Sequence, residues 1–446
     1  MGSGDIRGAI SNLTWARPRT WAEIWARLMP EVGAALLLSL PFFVMILATK
    51  LRFRLIGDEA PFHMKVIEAL ANDWPRINLA DYSSASTPLS YILLTAFGKV
   101  VGFEIWKLRL FSTVATFIAS YLFYRLARKL RLPYPMLCAF ILVFFPYIFF
   151  SGYTIYPASF ALFFGVAALD NYLMGDGSLR KMLMGSVFAT LAILCSQAYI
   201  ILPASFLAVE VLGALRRGSM LATRWAYSRL IVLAIPILSF VPLVLLWGGF
   251  TSPSNRAAAG GDWYLELNPQ QLNFTLIFVG FYFFPVVLRR QSRDLLNSWR
   301  WVVPSAATLF ALYRFFPIVL EDGPDRFLYM AGVVIRGLDI VRRSLGGGFV
   351  EVAMLGLWLA GLLIVLGELS ERMWSVDRIR LAALALGYVG LMALSPFVYE
   401  RYYLILVPPL ILFLYRSYRR RWVVAAWTGV QALLALVFSY WQIALK

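Results

Sequence analysis

Windows of about 17 to 20 apolar residues recur along the whole chain, each close to the length a helix needs to cross a bilayer. They can be placed at 33–51, 107–126, 135–152, 157–174, 182–196, 198–215, 230–249, 271–288, 301–320, 349–367, 381–397, 402–416 and 423–441. Several contain proline, which neighbouring helices of a bundle tolerate. Composition agrees: 61% of residues are apolar, 15% are charged and mean hydropathy is +0.72. The expectation is an all-α polytopic membrane protein with about thirteen transmembrane helices, 1–446 forming one integral membrane domain.

The formal charge of +17 raises nucleic-acid binding, and the placement of the basic residues answers it. With the N-terminus inside, 25 of the 41 Lys and Arg residues fall in short cytoplasmic loops. That is the positive-inside bias, so the charge is topological and no nucleic acid is expected. The segment "TPLSYILLTAFGKVVG" (87–102) is apolar enough to cross, but counting it would move every later basic cluster outside. It is therefore read as interfacial.

Three outer connections result: 52–106, with two interfacial helices, 250–270 and 321–348. The last carries Phe327, Met330, Val334, Leu338, Val341 and Leu345 at helical spacing, with Arg326, Arg336, Arg342 and Arg343 on its polar face. It is expected to lie flat on the membrane near anionic groups. Cys138 and Cys195 both lie in apolar segments and read as buried free thiols.

The first outer connection opens "GDEAPFH", with the chain's one histidine beside an acid pair. Asp58 suits the N-cap of a helix running to about Asn72. Glu59 and His63, four apart, share a face, and Phe62, Val66 and Leu70 give that helix an apolar side for the bilayer. A structural reading is as well supported by these residues alone: an Asp after a crossing often only caps the next helix. One histidine excludes zinc-protease motifs and leaves any Ser-His-Asp triad only His63. The second candidate is "SPFVYERYYLILVPPLILFLY" (395–415), where Arg401 and Tyr402 stand at an outer helix end. Arginine's five donors suit a phosphate, and the bland alternative is a snorkelling anchor in an aromatic belt.

The order "GDEAPFH", "STPLSYILLTAFGKVVG", "SQAYIILPASFLAVE" (196–210) and "ERYYLILVPPLILF" (400–413) resembles the GT-C superfamily of membrane glycosyltransferases. It is similar to the lipid A aminoarabinose transferases and protein O-mannosyltransferase-like enzymes. The "DEAPFH" spelling also resembles the terminal glucosyltransferase of lipid-linked oligosaccharide synthesis. The resemblance implies Asp58 as the essential acid, with Glu59 and His63 as further catalytic residues, and Arg401 and Tyr402 near a donor phosphate. It implies a polyprenyl-phosphate sugar donor and a glycan, lipid or protein acceptor. The active site would face the outside of a bacterial or archaeal cytoplasmic membrane, or the lumen of an ER membrane.

Two departures remove charge: Tyr156 precedes Pro157 where some relatives carry an acid, and Ser86-Thr87 precede Pro88 where the aminoarabinose transferases have Glu-Lys. A resident metal is therefore disfavoured and no cofactor is expected. A sugar phosphate already carries a good leaving group, so one base and some cations suffice, unlike the two carboxylates of a glycosidase. Asp58 would be the base, and Arg401, helped by Arg326 or Lys107, would hold the phosphate. The competing readings are a lipid or glycan flippase, or another ligase or polymerase of lipid-linked glycans. A transporter calls for midplane charges and repeats, and the chain offers only Arg314 and Glu210 and no evident repeat.

Overall fold

The computed structural model describes residues 21–174, 178–216, 224–254, 267–288, single positions within 303–314, 330–369, 375–395, 398–416 and 420–444. The regular elements of the described residues are helices apart from one two-residue parallel pairing, so the chain is an all-α polytopic membrane protein. In chain order the helices are α1 (Trp21–Thr49), a π-turn (Glu59–Met64), α2 (Lys65–Asp73), α3 (Leu89–Val101) and α4 (Ile105–Lys129). Then come α5 (Pro135–Val143), α6 (Pro146–Gly152), α7 (Pro157–Leu173), α8 (Leu179–Cys195) and α9 (Ile201–Arg216). The rest are α10 (Arg224–Leu238), α11 (Val241–Trp247), α12 (Gln270–Tyr282), α13 (Val333–Leu345), α14 (Gly347–Leu369), α15 (Val376–Met392), α16 (Val407–Leu414) and α17 (Arg421–Ala444).

A helix or helix pair stands at every crossing expected from the sequence except 301–320, most of which lies outside the described residues. By length and composition six spans qualify: Met29–Thr49, Ile105–Lys129, Gln197–Arg216, Tyr227–Trp247, Gly347–Glu368 and Arg421–Ala444. The pair α5 and α6, bent by 71°, would add one more. The expected thirteen is not reached on that measure because helices such as α7 and α8 have only 17 residues. At 1.5 Å per residue these are about 26 Å long, just under the hydrocarbon thickness. The segment 87–102 forms α3, whose 13 residues give about 20 Å, too short to cross.

Proline sets the geometry around the site. Pro146 opens α6 and lacks an N–H, so Phe145 before it is extended and the chain bends. Pro157 opens α7 in the same way and holds Tyr156 extended at φ −131°, ψ 130°. Elsewhere small residues permit close packing. A Cβ on Gly280 would meet the Leu357 carbonyl at 1.9 Å, and one on Gly361 the Leu276 carbonyl at 1.9 Å, so α12 and α14 touch backbone to backbone. Glu210, in the span Gln197–Arg216, is neutralised by Arg229 (2.8 Å) and Arg380 (2.7 Å).

The outer helices differ in detail from expectation. Val66 and Leu70 are buried with α2 packed on α3, while Phe62 alone stays 56% exposed. Of the helix expected in 321–348, residues 321–329 lie outside the described residues and Val333–Leu345 is helical; Val334 and Leu338 turn into the protein, and Ile340 and Leu345 stay exposed. Cys138 and Cys195 are buried free thiols.

Candidate active site

Asp58 and Arg401, from the first and the last of the outer segments considered, form an ion pair. The Tyr156 hydroxyl joins them, donating to Asp58 Oδ2 at 3.1 Å and accepting from Arg401 Nη1 at 2.8 Å. The Arg401 guanidinium also lies 5.5 Å from the Tyr402 ring centroid. The Arg401 and Asp58 side chains keep 32% and 30% of their surface exposed, so this cluster is open on one side. Burial pushes the Asp58 carboxyl up, but the charge of Arg401, with hydrogen bonds from Arg401 and Tyr156, outweighs it and holds Asp58 below the usual carboxylate range. Burial pushes the Tyr156 phenol up, so it remains a neutral donor. The expected N-cap by the Asp58 side chain is not made; that carboxylate faces Arg401 instead.

Glu59 does the opposite. It is fully buried and takes both arms of Arg109, Nε to Oε1 at 3.0 Å and Nη2 to Oε2 at 2.6 Å. The amides of Ile155 and Ile56 fill its remaining sites at 2.8 and 3.0 Å. Arg109, equally buried, donates also to the carbonyls of Leu51, Phe53 and Arg54. The pair ties the turn before Asp58 and the turn before Tyr156 to α4. Glu59 is thus closed on Arg109 and two backbone amides, away from the open side of the Asp58 cluster. A charged residue inside an apolar span was the available signal for Arg109.

His63 is not paired with Glu59. The turn Glu59–Met64 winds as a π-helix, with the His63 amide bonded to the Asp58 carbonyl at 3.0 Å, so residues four apart no longer stack. His63 Nδ1 instead lies 2.7 Å from the Tyr91 hydroxyl, itself 3.1 Å from Ser84 Oγ. The ring sits edge-on to Tyr156 at 4.7 Å. Burial lowers its pKa to about 4, leaving a neutral imidazole beside the cluster. Tyr91, Ser84 and Tyr156 were missed by the sequence reading, although Tyr156 was noted as a departure.

Lys107 stands apart from the cluster. It binds Glu104 at 2.7 Å and the Val101 carbonyl at 2.5 Å, closing the end of α3. The Glu104–Lys107 spacing of three is a helical pair that the sequence displays. Arg326 lies outside the described residues. Asp58 faces a guanidinium, Glu59 is closed by Arg109, and among the described residues no three His, Cys, Asp or Glu side chains converge.

No protein-family model matches the chain, and no curated protein does. Among solved structures, the apo oligosaccharyltransferase of Archaeoglobus fulgidus aligns with a TM-score of 0.50 at 19% identity, over 95% of this chain and 57% of its own length. The chain shares the fold of that enzyme. ArnT from Cupriavidus metallidurans bound to undecaprenyl phosphate aligns with a TM-score of 0.41 at 16% identity, over 93% of this chain and 78% of ArnT. The A. fulgidus enzyme AglB in complex with an inhibitory peptide and a dolichol-phosphate aligns with a TM-score of 0.45 at 19% identity, over 94% and 56%. The chain thus spans little more than half the length of these oligosaccharyltransferases. Asp58 stands in the connection between α1 and α2.

Proposed function

We propose that this protein is a glycosyltransferase that moves a sugar from a polyprenyl-phosphate donor to a hydroxyl of a lipid-linked or other extracytoplasmic acceptor. The observation that carries the reading is the open Asp58–Arg401–Tyr156 cluster: one carboxylate and one fork-shaped cation side by side. The GT-C fold adds to it.

In the transfer, the acceptor oxygen forms a bond to the anomeric carbon as the carbon–oxygen bond to phosphate breaks. The acceptor proton passes to Asp58, and the departing polyprenyl phosphate leaves with the bonding pair and one more negative charge. Arg401 meets that growing charge, where a cation helps most. The two roles are coupled. While Arg401 holds Asp58, the carboxylate is a weak base. A donor phosphate that draws Arg401 away removes the main stabilisation of the anion and restores its basicity, so the base is armed when the donor is seated. His63, neutral, contributes shape and a hydrogen bond rather than charge.

The test is transfer of labelled sugar from polyprenyl-phosphate donors by purified protein in nanodiscs. Asp58→Asn keeps the size of the side chain and should lose turnover by about 100-fold or more, with expression and melting unchanged. Turnover equal to wild type in Asp58→Asn would refute the assignment of the base.

A further inference from the structure

Arg401 is the second residue of a 3₁₀ turn, Glu400–Ile405, and the first residue of that turn is held by α13. Glu400 is completely buried. One of its oxygens accepts the Val334 amide at 2.5 Å, with the amides of Val333 and Ile335 beside it; the other accepts the Tyr282 hydroxyl at 2.8 Å. The carboxylate therefore sits on the first turn of α13, stabilised by N–H and O–H dipoles. Immediately before each of these elements the chain pairs in parallel, Met330 with Val398 and Ala331 with Tyr399. Between the pairing and the helix lies Gly332, where a Cβ would stand 2.3 Å from Glu400 Oε1. On the next part of the first turn, the Arg336 guanidinium covers the Trp441 ring at 3.7 Å.

We propose that Glu400 is a positioning residue that joins α13 to the Arg401 turn, so that the seating of this outer amphipathic helix sets where the Arg401 guanidinium stands. Burying a carboxylate away from water is costly, and an apolar side chain would fill the same space without that cost. What the carboxylate adds is direction: it accepts from α13 on one oxygen and from α12 on the other, with Arg401 one residue along. No side chain other than hydrogen fits at Gly332 while that carboxylate keeps its place. The consequence for anion binding rests on the donor-phosphate reading above; the mechanical link does not.

Two measurements on full-length protein in nanodiscs separate these layers. Amide hydrogen exchange without substrate follows residues 333–336 and 400–405 in wild type, Glu400→Ala, Glu400→Gln and Gly332→Ala. Binding of undecaprenyl phosphate is then measured for the same proteins and in an Arg401→Ala background. Glu400→Ala and Gly332→Ala should speed exchange in both segments and weaken binding about tenfold, the loss of roughly one hydrogen bond to a charged group. Glu400→Gln, which keeps an acceptor for the α13 amides, should recover most of both. In the Arg401→Ala background, Glu400→Ala should add nothing, because a residue acting through Arg401 cannot act without it. Faster exchange confined to 333–336, or a full additional loss in that background, would overturn the proposal. Wild type that does not bind undecaprenyl phosphate would sink the donor reading, while the exchange in 400–405 would still decide the link.

Discussion

Replacing Arg401 by lysine keeps the charge and removes the fork. In the structure one terminal nitrogen of Arg401 serves both Asp58 and Tyr156, while the other face of the guanidinium rests near the Tyr402 ring. Lysine is a point charge on a flexible stem and cannot offer a phosphate two parallel N–H groups. The deficit is about one charge-assisted hydrogen bond, roughly 1.5–3 kcal/mol. If that bond is made to the donor phosphate and strengthens as charge builds on it, the deficit appears in the barrier, roughly a tenfold to hundredfold slower transfer. A merely anchoring arginine would give another result, since lysine snorkels equally well. The assay is a donor titration at saturating acceptor with purified protein in nanodiscs, alongside a melting curve. Arg401→Lys should melt like wild type, transfer at least tenfold more slowly and show the defect in kcat/KM for donor. Equal donor affinity and equal turnover would refute the assignment and leave Arg401 an anchor.

Tyr156→Phe removes one hydroxyl from both Asp58 and Arg401 but keeps the ring against His63; turnover should fall roughly twofold to tenfold with folding intact, measured by the same transfer assay. EDTA should leave activity essentially intact, because Asp58 and Glu59 are each engaged by an arginine; abolition with rescue by magnesium or manganese would show a ligand set not formed by these acids. Two buried groups should drive opposite pH effects. His63 lies at about 4 against an ordinary 6.5, so it favours the folded state above 6.5 and that contribution fades as pH falls toward 4. Glu400, pushed up to about 7 by burial, does the reverse: its contribution is full below about 4.5 and is lost as pH rises through 7. Each displacement corresponds to about 3 kcal/mol, so the two nearly offset across this window. Melting curves from pH 7.5 to 4.5 should then show His63→Gln gaining stability relative to wild type on acidification and Glu400→Gln losing it.

The helices were legible because a bilayer leaves a long apolar run few alternatives, and a helix or helix pair stands in each described apolar window, six of them long enough to qualify as spans. Asp58 and Arg401 were legible as residues on the same side of the alternating crossings. Their direct contact was not, since no local pattern links positions so far apart. The π-turn at Glu59–Met64 was hidden because its sequence also fits an α-helix, and the wider winding follows from contacts made by Asp58, Glu59 and His63 to three other elements. Tyr156 looked like a lost charge; proline after it and the bend at Pro146 bring its hydroxyl to the cluster, which composition cannot express.

The separations within the cluster also set an order of assembly. Glu59 meets Arg109 after 50 residues, Asp58 meets Tyr156 after 98, and Asp58 meets Arg401 only after 343. As the chain emerges from the ribosome, the acid-bearing loop is docked by the second crossing and then given its phenol. Its cation arrives only when Arg401 has been made, 343 residues after the acid. A chain cut short before that point holds the carboxylate and its phenol without the guanidinium. The cluster is therefore complete only in a chain extended past Arg401, and shorter copies carry an acid with no cation to restrain it.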